Sequence, residues 1–318
     1  MLRNCRRLRV LTWHVHGNYL YYLTQTPFDF YLVTKPDHPT GYAGKVGLLP
    51  WDDNVHEVNA DDVASREFDV ILYQQRSHWE RDRETLLSPA QRRLPRVHLE
   101  HDPPQESPFG QWHWVDDPDT LLVHVTHFNQ LMWDNGITPT RVIEHGVMVP
   151  EGVRYSGELE RGIVVVNHLA QRGRPLGADI FSQVRCQVPL DLVGMDAQSL
   201  GGIGEIGNPD LAAFCARYRF FFNPIRWSSP GLAVIEAMTI GMPVIGLATA
   251  ELATVIHNGE NGFVHTDIKM LVDAMVGLLR DPAEARRLGD GARRTALERF
   301  HIDRFVQEWH DALLQVTA

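Results

Sequence analysis

The segment Ser228-Ser229-Pro230-Gly231-Leu232, followed by Glu236, carries the residue types most suggestive of chemistry. Proline suits the first helical position because the N–H it lacks would be unpaired there, and Ser228 or Ser229 can cap the free amides. The spacing therefore predicts a helix opened by Pro230 and Gly231, with Glu236 one turn inside it. Gly231 has no side chain to hold a ligand away from the helix-end amides. A diphosphate fits on that positive end while Glu236 accepts hydrogen bonds from a ribose diol, which reads as a nucleotide-sugar site.

Ligands of open α/β sheets bind outside the carboxyl ends of strands, so loops after strands are the other places to look. Trp13-His14-Val15-His16-Gly17-Asn18 follows the first apolar run. Its Gly17 and the amides of Asn18 and Tyr19 can approach a ligand, or Asn18 can simply cap a helix. Another run ends in Val97-His98-Leu99-Glu100-His101-Asp102-Pro103-Pro104. A metal at His98, Glu100 and His101 is disfavoured, because Glu100 and His101 fall on opposite strand faces, and no metal is expected. Asp117-Pro118-Asp119 has a divalent-metal spacing, and His124 with His127 resembles a metal pair, but both suit helix starts and packing better. Trp112 and Trp114 can stack on an acceptor sugar or anchor a loop.

The elements that must position these residues follow from periodicity. Short apolar runs alternate with helical patterns almost from end to end, the mark of parallel α/β layers. Strands are expected at 8–12, 28–33, 68–73, 96–99, 121–125 and 141–144, with helices at 18–26, 80–92 and 128–134. Residues 34–59, rich in Pro and Gly, read as an acceptor loop or an irregular surface excursion. Polar residues at 149–161 break the pattern. A second series of strands then follows at 162–166, 190–193, 218–222, 243–246 and 262–264, with closing helices at 269–280, 282–299 and 302–316. The expected domains are 1–153, binding the acceptor, and 154–318, binding the nucleotide sugar.

Glu236-Ala237-Met238, Gly241, Pro243-Val244-Ile245 and the later Asn258-Gly259-Glu260-Asn261-Gly262-Phe263-Val264 resemble the donor region of retaining GT-B glycosyltransferases of the family 4, or group 1, type. The resemblance implies two Rossmann-like doubly wound domains facing a cleft, with the last helix crossing back to the first. It implies transfer of a hexose, with retention, from a nucleotide diphosphate sugar to a hydroxyl of a glycan or lipid-linked acceptor. His101 then matches the family's active-site histidine, with Asp102 as its orienting partner. A structural histidine is the alternative. Gly17 and Asn18 fall where relatives carry a Gly-rich loop. Arg172 and Arg174 fall in the loop where relatives carry Arg-x4-Lys against the diphosphate, though a solvated arginine pair is the other reading. His145-Gly146-Val147 resembles the family's junction turn. Ser228 stands eight residues before Glu236, where the family usually carries its first Glu.

Composition narrows the classes. The chain has 318 residues, 44% of them hydrophobic, enough for two cores. A formal charge of −10 excludes a general nucleic-acid binder. Cys5, Cys186 and Cys215 give neither a disulfide framework nor a zinc site, so a reducing cytoplasm is expected. No run is long enough to span a membrane. Arginines near the N-terminus suit either peripheral contact with an anionic membrane or a solvated tail. No cofactor is expected, since the donor is a substrate, with UDP or GDP as its nucleotide. Two alternatives remain: a nucleotide-sugar-binding protein without transferase activity, and a nucleotide-sugar epimerase or hydrolase.

Overall fold

The computed structural model describes residues 7–46 and 49–318. Cys5 and the first arginines therefore lie outside the described residues. Arg9 is committed to Asp69 and Glu67 through its guanidinium. No helix among the described residues is long and apolar enough to cross a membrane.

The chain forms two compact units, Met1–Gly146 with Ile302–Ala318, and Val147–His301. In the first, strands β1 (Arg9–Thr12), β2 (Asp29–Thr34), β3 (Val55–Asn59), β4 (Val70–Tyr73), β5 (Arg96–Glu100), β6 (Thr120–His124) and β7 (Thr140–Val142) build a seven-stranded sheet ordered β3-β2-β1-β4-β5-β6-β7. Every strand pair is parallel. In the second, β8 (Leu159–Val165), β9 (Leu190–Val193), β10 (Tyr218–Asn223), β11 (Val244–Leu247) and β12 (Gly262–His265) give the order β12-β11-β10-β8-β9, again all parallel. The first order is that of a dinucleotide-binding sheet and the second is flavodoxin-like, so both units are doubly wound. Their central strands, such as Val70-Ile71-Leu72-Tyr73, are buried throughout and carry near-continuous apolar runs.

Helices are α1 (Gly17–Leu23), α2 (Arg83–Thr85) and α3 (His127–Met132) in the first unit. In the second come α4 (Leu169–Arg172), α5 (Ala178–Arg185), α6 (Asn208–Cys215), α7 (Leu232–Ile240), α8 (Leu252–Val255), α9 (Ile268–Arg280) and α10 (Pro282–Arg299), and α11 (Ile302–Thr317) closes the chain. The helix expected at 80–92 is broken. A π turn at His78–Asp82 buries His78, Trp79 and Asp82, and Pro89 keeps Ser88 out of the helical region. The segment 34–59 contains β3, an edge strand paired with β2 alone and half-exposed, so its apolar signal is weak.

The domain expectation needs correction at both ends. The first unit stops at Gly146, and 302–318 belong to it rather than to the second. The cause is α11, whose Phe305, Trp309, Ala312 and Leu313 form one buried stripe. Trp309 Nε1–H donates to Tyr19 Oη at 3.0 Å, and Arg304 donates to the carbonyls of Glu144 and His145. A side chain on Gly146 would collide with Phe305. The last helix therefore returns to the first unit, as the resemblance implied.

Candidate functional site

Each sheet has one switch point, where the strand order reverses: between β1 and β4 in the first unit, and between β8 and β10 in the second. Ligands of such sheets bind beyond the strand ends at that place. The segments concerned are residues 13–16 and 74–77 in one unit, and 166–174, which include α4, and 224–231 in the other.

In the second unit α7 begins at Leu232, and Gly231 is its N-cap with φ −66° and ψ 155° and no capping side chain. The expected opening by Pro230 under a serine cap is thus corrected. Pro230 and Ser229 are buried ahead of the helix, where proline holds the residue before it extended. Gly231 is exposed, and a Cβ built on it would meet no atom of the described residues within 4 Å. Glu236 is half-buried beside Val165, Ala212 and Cys215, around a cavity of only about 10 Å³. Burial and the Glu236 charge push the Cys215 thiol up to about 12. Ser228 lies in the bend after β10.

Arg172 is exposed at the end of α4, whose N-cap His168 holds a left-handed conformation (φ 53°). Arg174 pairs with Asp179 Oδ2 at 2.8 Å. Arg226, which sequence reasoning passed over, donates to both oxygens of the same carboxylate and to the Arg174 carbonyl. Two guanidiniums therefore share one acid, whose carboxyl is held below its ordinary value by Arg226 first.

In the first unit His16 is the N-cap of α1, Gly17 its first residue and Asn18 its second. Asn18 is thus not the cap. A Cβ on Gly17 would stand 3.1 Å from His14 Nε2, so the glycine makes room for that ring. His101, just past β5, is half-buried, with its ring 4.0 Å from that of His16 and 4.8 Å from that of Tyr19. Burial, then neighbouring His16, His145 and His98, hold His101 well below the usual imidazole range, so it is neutral at pH 7. Asp102 is tied through its backbone, its N–H donating to Glu100 Oε1 at 2.9 Å and its carbonyl accepting from Trp133 Nε1–H at 2.8 Å. A cavity of about 260 Å³ is lined by His16, Gln74, Arg76, Glu100, His101 and Asp102, among others.

Behind that cavity stands a cluster the sequence did not reveal. His98, Glu100 and His113 are buried with their ligand-type atoms within 4.8 Å of one another. His101 is not a member of it; the third member comes from a loop thirteen residues on. Hydrogen bonds account for the cluster. Val115 N–H donates to His113 Nδ1 at 3.0 Å, so that nitrogen is bare and Nε2 carries the proton, which it donates to Glu100 Oε2 at 3.2 Å. A ligating histidine normally donates from its second nitrogen, which His113 cannot do here. Asp117 of the D-x-D spacing pairs with Arg96 at 2.8 Å, and His124 Nε2–H donates to Asn135 Oδ1 at 2.9 Å. Trp112 is exposed, while Trp114 lines the cavity and donates to His98 Nε2 at 3.1 Å.

Residues 182–281 match the family model described as glycosyl transferases group 1. Over its whole length the fold resembles sucrose-phosphate synthase from Thermosynechococcus elongatus, with TM-score 0.73 and 18% identity over 98% of this chain and 99% of that one. It also resembles Anabaena Alr3699/HepE in complex with UDP and glucose, with TM-score 0.72 and 14% identity over 97% and 100%. The chain has the GT-B fold, and the segment that matches the group 1 glycosyl transferase model lies in its second unit. In sequence it is 31% identical over 81 residues to N-acetyl-alpha-D-glucosaminyl L-malate synthase of Bacillus anthracis, 25% of this chain and 21% of that protein. The matched segment thus spans about a fifth of the curated relatives' length.

Much of the motif that marks this GT-B chain is scaffold. Gly241 closes α7 in the left-handed region (φ 96°), and Met242 and Pro243 lead into β11. Asn258 takes Val264 N–H on Oδ1 and gives Nδ2–H to the Val264 carbonyl. Asn261 accepts from His257 N–H and donates to the Val255 carbonyl and Thr295 Oγ1. A side chain on Gly262 would strike the Val244 carbonyl. Of the motif residues described above, Gly231 is the one for which the fold itself has no evident use.

Proposed function

We propose that the chain transfers a hexose, with retention, from a nucleotide diphosphate sugar to a hydroxyl of a glycan or lipid-linked acceptor. The observation that carries this reading is Gly231, an exposed helix N-cap with an ordinary φ and open space where a Cβ would stand. A ligand approaching the helix-end amides accounts for the glycine. Glu236 would hold the ribose. The amides of Gly231 and Leu232, with Arg172, Arg174 and Arg226, would hold the diphosphate, and the serines ahead of them, Ser228 and Ser229, would face the donor sugar. In the first unit Gly17 and Asn18 would face the departing phosphate. Neutral His101 would contact the hexose, and the departing phosphate, stabilised electrostatically, would take the acceptor proton. UDP is the first nucleotide to try, since a protein of like fold binds it. Polysaccharide or cell-envelope glycan synthesis in the cytoplasm, with the enzyme at the membrane surface, is the setting that suits such an acceptor.

The test is thermal unfolding of wild type and Glu236→Ala against UDP, GDP, ADP and dTDP. A ligand at a hundredfold its Kd stabilises by about 2.7 kcal/mol. A shift with one nucleotide that is lost in the variant supports the donor site, and no shift with any nucleotide overturns it. Glu236→Ala should weaken binding while His101→Ala lowers turnover alone. Equal loss of binding in both overturns the roles. The second reading, a binder without transferase activity, is favoured by Ser228 and by the commitment of Arg174 to Asp179. It expects nucleotide affinity with no product. Product analysis without acceptor would reveal an epimerase or hydrolase.

A further inference from the structure

Glu100 ends β5 with its two carboxyl oxygens engaged from different segments. Oε1 accepts the Asp102 N–H at 2.9 Å, and Oε2 accepts His113 Nε2–H at 3.2 Å. His113 cannot turn away, because Val115 N–H holds its Nδ1, and its ring lies tilted 30° on Trp114 with centroids 4.3 Å apart. Trp114 is tied in turn to His98 on β5. The chain from Val115 through His113 and Glu100 to Asp102 is therefore a strut of directed hydrogen bonds, buried at His113 (3% exposed) and Glu100 (7%), that ends on the turn carrying His101. Glu100, His101 and Asp102 also line the 260 Å³ cavity together.

Such a strut is expensive as mere packing. Burial pushes the Glu100 carboxyl up to about 8, and an apolar side chain would fill the place at lower cost. Polar groups kept at that cost beside a cavity are the mark of a site that needs its geometry held. The cavity wall supplies a second observation: Gln74, 4% exposed, is fixed by donating to Thr12 Oγ1 and the Trp13 carbonyl, which leaves its Oε1 without a partner among the described residues. A hydroxyl-bearing ligand would supply the donor that this oxygen lacks.

We propose that Glu100 is a positioning residue, which acts with His113 as one unit to set the turn at residues 101–102 for a hydroxyl-bearing substrate in the cavity. The substrate part of this inference rests on the transferase reading, whereas the strut does not. The groups that face Glu100 are His98, His101 and Asp102 of its own segment, His113 and Trp114 of the loop, His124 opposite it on β6, and His16 and Arg76 across the cavity.

The experiment compares wild type, Glu100→Gln, His113→Gln and the double variant, with Glu100→Asp, too short to reach both partners, in reserve if Glu100→Gln does not fold. Hydrogen exchange of the Asp102 amide and the ring ¹⁵N shifts of His101 read the turn. Loss of one neutral hydrogen bond should speed that exchange by roughly two- to tenfold, and the His101 ring shifts should move with it. The double variant should go no further than the worse single one, and Glu100→Asp should repeat the change. An unchanged Asp102 amide and His101 ring in Glu100→Gln, or additive effects in the double variant, would overturn the strut. Hydrolysis of UDP-glucose and GDP-mannose in water is the second arm: kcat should fall in Glu100→Gln with nucleotide Kd unchanged, and a rise in Kd with kcat unchanged would count against positioning. Wild type that hydrolyses neither sugar would count against the transferase reading, while the exchange arm still decides the role of Glu100.

Discussion

The two units solve the same folding problem with different materials. The second packs a parallel sheet under helices around a large apolar cluster that includes Val164, Phe181, Phe220, Phe222 and Leu288, with few buried polar side chains such as Arg219 and Glu251. The first buries rings and polar groups. All histidines but His168, His257, His265 and His301 belong to it, and His78, His98, His113 and His124 are almost completely buried there. Trp13 stacks on His78 at 4.7 Å and on Tyr73 at 5.4 Å. The difference shows where a sequence pattern carries information. An apolar core needs periodicity and small residues at close approaches, which a motif records. A polar core needs partners that meet only after folding.

The largest expected effect tests whether the first unit depends on its returning helix. Trp309→Ala removes a fully buried ring and its bond to Tyr19, and should cost about 3–5 kcal/mol. Calorimetry should show a lowered transition, with nucleotide binding in the second unit retained wherever the protein is folded. A Tm unchanged within a degree would mean that α11 is dispensable to that core.

Next is the scaffold reading of the motif. Gly262→Ala places a methyl against the Val244 carbonyl, and overpacking of this kind should cost about 3 kcal/mol. The folded fraction should still bind nucleotide with unchanged Kd. Weakened binding at equal stability would move this glycine from scaffold to site.

The polar core of the first unit predicts a stability maximum near neutral pH. Burial holds His78, His113 and His124 down at about 3, and His98 and His101 well below the usual range. In the unfolded chain these rings take up protons near pH 6.5, so their contribution is complete above that pH and is lost as the pH falls below it. Glu100 has the opposite sign. Its folded carboxyl keeps a proton up to about 8 whereas the unfolded one releases it near 4, so stability drains away as pH rises between those values. Below 6.5 the histidines outnumber the single acid and stability rises with pH. From 6.5 to 8 Glu100 acts alone, with a slope of at most about 1.4 kcal/mol per pH unit. Urea titrations across pH 5–9 should trace this maximum, and Glu100→Gln should remove the decline above 6.5. A decline that survives in the variant would assign it to another group.

How far the molecule was legible follows the same division. In the second unit, the strands, the two long helices α9 and α10 and the turn around Asn258 were readable because each is a local pattern. The helix start at 230–232 slipped because Pro230 serves burial rather than the first helical turn. In the first unit every central strand was readable, but β3 was hidden by its half-exposed edge position. His113 was missed because it meets Glu100 only through tertiary folding, and the metal argument considered one strand alone. Arg226 was missed for a similar reason: nothing local says that it shares Asp179 with Arg174.

The smallest effect on stability falls at Gly231, and it separates scaffold from site most cleanly. Its φ of −66° suits any residue, and an added methyl meets nothing, so Gly231→Ala incurs no strain. Alanine is a poorer N-cap than glycine but loses less backbone freedom on folding, and the two terms offset to within about 0.5 kcal/mol. Urea unfolding should therefore leave wild type and variant indistinguishable. If a diphosphate approaches the amides here, the methyl stands in its path, and UDP titration calorimetry should show Kd rising about tenfold or more, the loss of one charge-assisted hydrogen bond. A variant with unchanged stability and unchanged Kd would leave the glycine without a ligand to explain it, and the donor site would have to be sought elsewhere along the β8 and β10 strand ends.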